Sequence, residues 1–217
     1  MRGANDAESG RPSSIQRSRR SESARETRSA IMTAAMRLFL QHGYGVVKVS
    51  DIAEAAGVAV PTVYTSAGGK SAILRALIDE ATRDPIVDST LLAVRESNTG
   101  DRVIEVTARG VRLDNERYHN IIEVMTTAAV ADESVAATLA HSDRTYRQAL
   151  GVVAQRLADL GTLAPSLRVD TATDILWFYF GRDAWRLLVA GQEWSWDEAQ
   201  RWLQSQAAHA LLVSSHA

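Results

Sequence analysis

Hydroxyl and ammonium groups cluster around one short segment, Ser50–Lys70, with the sequence SDIAEAAGVAVPTVYTSAGGK. The hydroxyls of Thr62 and Thr65 can donate or accept hydrogen bonds at base edges or phosphates, and a threonine methyl can contact a thymine methyl. Lys48 lies just before the segment and Lys70 ends it, and each can pair with a phosphate. The residue types of this segment therefore suit contacts with nucleic acid.

The same segment predicts two short helices joined by a tight turn. In SDIAEAAG, Ser50 can cap the N-terminus of an amphipathic helix, and Gly57 supplies the left-handed residue that ends it. A second helix follows with Pro61 in its first turn, where the missing N–H costs nothing. Two short helices joined by a glycine-containing turn predict a helix-turn-helix, whose second helix can enter the major groove of DNA.

The flanking sequence supports this prediction. Residues 27–42 form an apolar stripe at helical spacing that Gly43 closes, and Lys70 opens a longer helix after Gly68 and Gly69. Over about residues 25–80 the chain resembles, in register, the N-terminal domain of TetR-family transcriptional regulators. The resemblance is carried by Ile31, Ala34, Ala35, Leu38, Phe39, Gly43, Tyr44, Val49, Asp51, Ile52, Ala53, Ala56, Gly57, Val58, Thr62, Val63, Tyr64, Lys70 and Leu74.

This resemblance implies that Tyr64 contacts a phosphate or a thymine. Ser50 can touch a phosphate with the hydroxyl that caps its helix, or serve as a cap alone. The chain departs from the family at Ala59, where a capping serine is usual, and at Ser66-Ala67, where an aromatic or histidine followed by phenylalanine is common. The predicted DNA-binding set is Lys48, Ser50, Val60, Pro61, Thr62, Tyr64, Thr65 and Lys70.

Composition limits the other possibilities. The 217 residues are 46% hydrophobic and include no cysteine, which excludes disulfides and thiolate chemistry. The net charge is only −2, but residues 1–70 hold 10 basic against 6 acidic side chains, so the basic surface is local. No apolar run is long enough for a membrane span, and we expect a soluble, cytoplasmic protein with no cofactor and no metal.

The N-terminal residues 1–23 are rich in Ser, Arg and Gly and predict a disordered basic arm. Arg17, Arg19 and Arg20 in this arm can make loose phosphate or minor-groove contacts, or the arm can be an inert tail. After it, residues 24–70 form the predicted helix-turn-helix domain, whose last helix continues to about residue 83. Residues 84–217 form a larger helical domain for effector binding and dimerisation.

The larger domain reads as all-α because strand patterning is scarce. We expect one helix to give way to another around residues 117–119, a helix over about 134–160, and a long apolar helix from Ile175 to Gly191. The run ILWFYF, residues 175–180, is apolar all the way round and must be covered on two sides. A capping box at Ser195–Glu198 starts the last helix.

Two adjacent apolar helices at the C-terminus suggest a homodimer in which each subunit contributes two helices to a four-helix bundle, although they can instead close the core of a monomer. The resemblance to TetR-family dimers favours the bundle. The predicted interface comprises Ile175, Phe178, Trp185, Leu188, Trp202 and Leu203. If the resemblance extends to the body, an effector pocket for a small, largely apolar ligand is expected there, with candidates Arg109, Arg112, Tyr118, His119, Met125, Tyr146, Trp177 and Tyr179.

These features predict a homodimeric DNA-binding regulator, most simply a repressor that a small ligand releases from a palindromic operator. An enzyme with His119, His141 and Asp143 as catalytic or metal groups is an alternative, but there is no His-x-x-x-His pair and no Gly-rich phosphate loop. A protein-interaction module that reuses the helix-turn-helix is a third interpretation.

Overall fold

The chain folds almost entirely into helices. The computed structural model describes residues 14–81 and 85–213. Within those ranges there is no strand, and an isolated β-bridge pairs Leu163 with Leu212. No helix in the described ranges is both long enough and apolar enough to cross a bilayer. The predicted all-α class is confirmed.

The chain divides into two compact units between Leu77 and Ile78. This division lies within the helix that follows the helix-turn-helix, which the sequence predicts to continue from the first domain to about residue 83. The helices of this part of the chain are α1 (Ser14–His42), α2 (Val49–Ala55), α3 (Val60–Ala67) and α4 (Lys70–Ala81).

Helix α1 begins earlier than the sequence predicted. Residues 14–23 were expected in a disordered arm, but they are helical, whereas residues 1–13 lie outside the described residues. Low apolar content indicates that a segment does not pack into a hydrophobic core, but it does not exclude a helix. Residues 21–26 are all exposed and helical. The segment 14–42 contains neither Gly nor Pro and is rich in Arg and Ala, so the helix continues outward from its buried half.

The second unit is built around one long central helix, α6, which packs against α5, α7 and α10. Helix α8 packs against α7 and α10 on another side of the core. The elements are α5 (Ile86–Glu96), α6 (Gly100–Ala128), α7 (Glu133–Asp159), α8 (Val169–Phe180), α9 (Arg182–Trp185), a π-helical turn (Arg186–Gly191) and α10 (Trp196–Leu211).

The break expected around residues 117–119 is absent, and α6 runs unbroken for 29 residues. Its buried stripe continues past that point through Ile121, Val124 and Met125, so tertiary packing keeps the helix continuous through a locally polar stretch. By contrast, the helix expected to run from Ile175 to Gly191 is interrupted. Gly181 is extended, with φ −64° and ψ 158°, and ends α8.

Helix α10 starts as predicted. The Glu198 backbone N–H donates to Ser195 Oγ at 3.3 Å, and the Ser195 N–H donates to Glu198 Oε2 at 3.0 Å. These reciprocal bonds form the capping box. They also lower the pKa of the Glu198 carboxyl below its ordinary value, because both the hydroxyl and the N–H of Ser195 donate to the charged form.

Gly110 permits the close crossing of α5 and α6. A Cβ added at this position would lie 2.8 Å from Thr90 Cβ and closer still to the hydroxyl and methyl of that threonine. We therefore expect Gly110→Ala to lower the free energy of unfolding by about 1–3 kcal/mol through overpacking, measured by urea denaturation.

Gly151→Ala, within α7, is the matched control. The nearest atom to a Cβ added there is Thr173 Oγ1 at 3.8 Å, an ordinary contact. That change should be neutral or should raise the free energy of unfolding by up to about 1 kcal/mol, since Ala is the better helix former. Equal effects of the two substitutions would contradict the close-crossing explanation.

Candidate nucleic-acid interface

Helix α1 is the platform on which α3 lies. Ile31, Ala35 and Phe39 on α1 are fully or almost fully buried, as are Val63 and Ala67 on α3. The Arg28 guanidinium donates to the carbonyl of Ser66 in the last turn of α3 at 2.6 Å, which satisfies a carbonyl that the helix itself leaves unpaired. One face of α3 is thus fixed against α1.

Helix α2 begins one residue before Ser50, which corrects its predicted capping role. Lys48 is the capping position, and its N–H donates to Asp51 Oδ2 at 2.8 Å. Ser50 lies inside the first turn, exposed, and its hydroxyl donates to Asp51 Oδ1 at 3.2 Å. Asp51, which lies close to the positive end of the helix dipole, accepts the capping hydrogen bond, so the Ser50 hydroxyl is not needed as a cap.

The turn between α2 and α3 depends on Gly57. Its φ of +67° lies in the left-handed region, which glycine adopts without steric cost. The Val58 N–H donates to the Ala53 carbonyl at 3.0 Å and the Gly57 N–H to the Glu54 carbonyl at 3.1 Å, the bonding pattern of a Schellman ending. This turn sets the direction in which α3 leaves α2.

Helix α3 therefore presents its other face to solvent. Val60 is 39% exposed and Tyr64 is 55% exposed, and Pro61 and Thr65 are also exposed. Thr62 is half-buried at the edge of this face. The N-terminal position Ala59 has no side-chain capping bond, as its residue type requires. The exposed face of α3 is therefore a short ridge of apolar and hydroxyl-bearing side chains that includes no acidic residue.

The two lysines of the predicted set have different surroundings. Lys48 is exposed at the start of α2. The Lys70 ammonium instead donates to the Tyr44 carbonyl at 2.7 Å and lies 4.4 Å from the centroid of the Tyr44 ring. Lys70 thus holds the loop after α1, a role that the sequence did not indicate, and its phosphate contact stays a prediction.

The second unit contains a small cavity among α5, α6 and α7, with a volume of about 30 Å³. That is room for only one or two water molecules. Of the eight predicted ligand-binding residues, only Tyr146 lines it. The full lining is Ile86, Val87, Thr90, Leu91, Thr107, Gly110, Val111, Asp114, Tyr146, Ala149, Leu150 and Val153.

The cavity is apolar because its hydroxyls bond elsewhere. Thr90 and Thr107 each donate to a carbonyl one turn earlier in their own helices, and Tyr146 donates to the Phe180 carbonyl at 2.6 Å. Burial raises the pKa of the Tyr146 phenol far above its ordinary value, and the negative charge of Asp114 raises it further. The phenol is therefore neutral at physiological pH.

The other predicted ligand-binding residues are distributed through the unit. Arg112 forms ion pairs with Glu116 at 3.2 Å and Asp197 at 3.1 Å, and it joins helices α6 and α10. The His119 ring contacts the edge of Trp196. Met125 is buried in the core of the unit, Arg109 is exposed, and the remaining three, Tyr118, Trp177 and Tyr179, are half-buried.

The structure also separates the predicted interface residues into two groups. Trp185 and Leu203 are each 1% exposed within the single chain, so their prediction as interface residues is wrong. The break at Gly181 turns Trp185 inward, where it stacks on Trp196. Phe178 is 73% exposed and Trp202 is 44% exposed, whereas Ile175 and Leu188 are half-buried. The ILWFYF run is thus covered on one side only within this chain.

Leu187 belongs to the same group of exposed apolar side chains, although it is not among the residues predicted for the interface. It lies in the π-helical turn and is 61% exposed. Its position could not be read from helical periodicity, because the periodicity changes after Gly181.

Comparisons with known proteins agree with the geometry of the first unit. A family model described as "Bacterial regulatory proteins, tetR family" matches residues 31–77. The transcriptional repressor ComR of Escherichia coli is 40% identical over 52 residues, which are 24% of this chain and 25% of ComR. The chain therefore matches about a quarter of the length of that relative.

Solved structures share the fold along most of the chain. NalD of Pseudomonas aeruginosa, the secondary repressor of the MexAB-OprM multidrug efflux pump, has a TM-score of 0.68 at 19% identity, covering 89% of this chain and 99% of that one. The complex of SmeT with triclosan has a TM-score of 0.66 at 18% identity, covering 87% and 93%. SmeT is the repressor of the multidrug efflux pump SmeDEF in Stenotrophomonas maltophilia.

The family match falls on α1 to α4, where the helix-turn-helix lies, and the fold of the whole chain agrees with it. TetR regulators are DNA-binding transcription factors and not enzymes, so the match favours the DNA-binding interpretation over the catalytic one. Residues 31–77 of this chain thus match the tetR family of bacterial regulatory proteins, and the whole chain shares its fold with solved repressors.

Proposed function

We propose that this protein is a homodimeric transcriptional repressor that binds a palindromic operator through α3 and is released by a small, largely apolar ligand. The observation that carries the proposal is the exposed face of α3. Its buried face is fixed to α1, so Val60, Pro61, Tyr64 and Thr65 stand outward together. An outward-facing second helix of a helix-turn-helix is the element that reads the major groove.

The side chains on that face suit both kinds of DNA contact. Tyr64 and Thr62 offer hydroxyls for phosphates or base edges, and the exposed Val60 suits a thymine methyl. Thr65 Oγ1 bonds to the Pro61 carbonyl at 3.1 Å, which leaves its methyl and an acceptor lone pair for DNA. Lys48 and Ser50, exposed at the start of α2, are proposed to bind a phosphate.

The length of α3 supports a dimer. Eight residues present about two turns of helix, enough to read only a few base pairs, so a specific operator needs two copies of the helix. Phe178, Leu187 and Trp202 supply an exposed apolar surface on the second unit. We propose that a second copy of the chain covers this surface, which gives the complex its two-fold symmetry.

The proposed ligand site is the cavity among α5, α6 and α7. The walls offer apolar contact and few unpaired hydrogen-bonding groups, and Asp114 disfavours an anionic ligand by like charge. The cavity is too small for a drug-sized molecule, so a ligand must bind a wider conformation and shift the population toward it. The SmeT complex with triclosan shows that a protein of the same fold binds a small molecule, which supports a small-molecule ligand here. Such a repressor would act in the cytoplasm, where its operator is.

The DNA-binding proposal is tested by selecting bound duplexes from a random library. The wild-type protein should recover a palindrome. Tyr64→Ala should bind the recovered duplex about tenfold or more weakly, because removal of the ring and its hydroxyl from the groove costs about 1.4 kcal/mol of binding free energy or more. Thermal unfolding should be unchanged, since Tyr64 is exposed. Fluorescence anisotropy measures the affinities.

Val46→Ala is the control for this experiment. Val46 is 73% exposed in the same unit but lies outside α3, so its truncation should leave DNA affinity unchanged. Recovery of no common sequence, together with no salt-dependent DNA binding, would contradict the proposal and favour a protein-interaction module instead.

The dimer is tested by placing a charge on the exposed apolar surface. Phe178→Asp should convert the protein to monomers in sedimentation equilibrium at concentrations where the wild type is a dimer. Val130→Asp, at a site 90% exposed in the turn after α6, is the matched change and should remain dimeric. A wild-type monomer, or a Phe178→Asp dimer, would remove the basis for two-fold binding.

The ligand site is tested with triclosan as the probe. Wild-type protein should bind it in calorimetry and lose its operator on binding. Ala149→Leu, which fills the cavity, should weaken triclosan binding about tenfold or more and leave operator affinity unchanged. Ala140→Leu on the exposed side of the same helix should bind like the wild type. Equal binding by both variants would place the probe elsewhere.

A further inference from the structure

The N-terminal part of α1 projects beyond the helices against which the rest of α1 packs. From Ser14 to Arg28 its described side chains are exposed except Thr27, and the first fully buried residue is Ile31. At 1.5 Å per residue the stretch from 14 to 27 is about 20 Å long. The family match starts at residue 31, so this part of the helix lies outside the matched residues.

Charge is sorted between two faces of the projecting helix. Positions 17, 20, 21, 24, 25 and 28 recur at spacings of three and four, so they share one face, and they are Arg, Arg, Ser, Ala, Arg and Arg. The two glutamates, Glu22 and Glu26, fall on the opposite side together with Arg19. We name the first set the arginine stripe. It contains no acidic residue.

The arginine stripe continues the buried face of α1. Ile31 and Ala35 follow Arg28 at spacings of three and seven, which are one and two helical turns. Arg28 itself bonds to the Ser66 carbonyl of α3 at 2.6 Å, which fixes the direction of this face relative to the proposed DNA-reading helix. The face of α1 that packs against the helix-turn-helix thus continues, on the N-terminal side of Arg28, as a basic face.

We infer that the arginine stripe binds the sugar-phosphate backbone of the DNA that flanks the sequence read by α3. Arg28 is already engaged with α3, so Arg17, Arg20 and Arg25 are the contacts, with Ser21 as a further donor. Arginine pairs with phosphate through parallel N–H donors, and a basic stripe without acids is the pattern that such contacts require. The helix spans about six base pairs at 3.4 Å each.

This inference rests on the proposed DNA binding and refines the sequence-based view of the arm. Arg17 and Arg20 are retained as contacts, but Arg19 is on the other face and Arg25 is added. The contact is sequence-independent, because phosphates carry no base information. It therefore raises affinity and its salt dependence and leaves the preferred operator sequence unchanged.

The test compares two double variants with the same change in charge. Arg20→Ala/Arg25→Ala removes part of the arginine stripe, and Arg19→Ala/Arg37→Ala removes two arginines from the opposite side of α1. Both variants keep the helix, since alanine is the best helix former. Affinity is measured against salt concentration on the selected duplex with ten base pairs added at each end, and on the same duplex trimmed to the selected sequence.

The stripe variant should bind the long duplex more weakly than the wild type. The slope of log affinity against log salt should flatten by roughly 0.9 for each phosphate that is no longer neutralised, or roughly 3–4 for two arginines in each of two protomers. The opposite-face variant should match the wild type, and the three proteins should bind the trimmed duplex alike.

Equal affinities and slopes for the two double variants on the long duplex would overturn the inference and leave the operator-binding proposal intact. Failure of the wild-type protein to bind any duplex would overturn the operator-binding proposal itself, and with it the inference. Circular dichroism of the full-length variants checks that α1 keeps its helical content in each.

Discussion

The packing of α3 against α1 is the interaction on which the proposed DNA-binding surface depends. Burial of Val63 removes a valine side chain from water and contributes roughly 1.5–3 kcal/mol, and Ala67 and the Arg28–Ser66 bond add to the same contact. Because an α-helix has 3.6 residues per turn, fixing Val63 inward turns Pro61 and Thr65 to the opposite side. Val60 and Tyr64 are left exposed on the flank between the two sides. The surface offered to DNA is thus a consequence of core packing one residue away.

The sequence predicted this part of the molecule well because its signals are local. Helical spacing, Gly57 and Pro61 are read within a few residues, and α2, α3 and the turn between them follow from them. The side-chain partners were harder to predict. Lys70 bonds to a carbonyl 26 residues earlier, and the start of α2 lies one residue before the serine expected to cap it, so neither role follows from local pattern.

The second unit shows where local pattern fails. The cavity depends on how α5 crosses α6 at Gly110, a distance set by tertiary packing, and only Tyr146 among the residues chosen for their chemistry lies in it. Trp185 and Leu203 were assigned to a dimer interface because each lies on one of two adjacent apolar helices, but both are buried within the chain, and the break at Gly181 turns Trp185 into the core. Composition identified the helices as apolar but not which side faces inward.

The role of the exposed face of α3 is tested most directly by photocrosslinking with benzoylphenylalanine placed at position 64 or at position 178, with the selected operator duplex present. Both positions carry exposed aromatic rings, one in each unit of the chain. We expect a protein–DNA adduct from position 64 and a protein–protein adduct from position 178. A duplex that is bound by the protein but never crosslinked from position 64 would contradict the proposal that the exposed face of α3 contacts DNA.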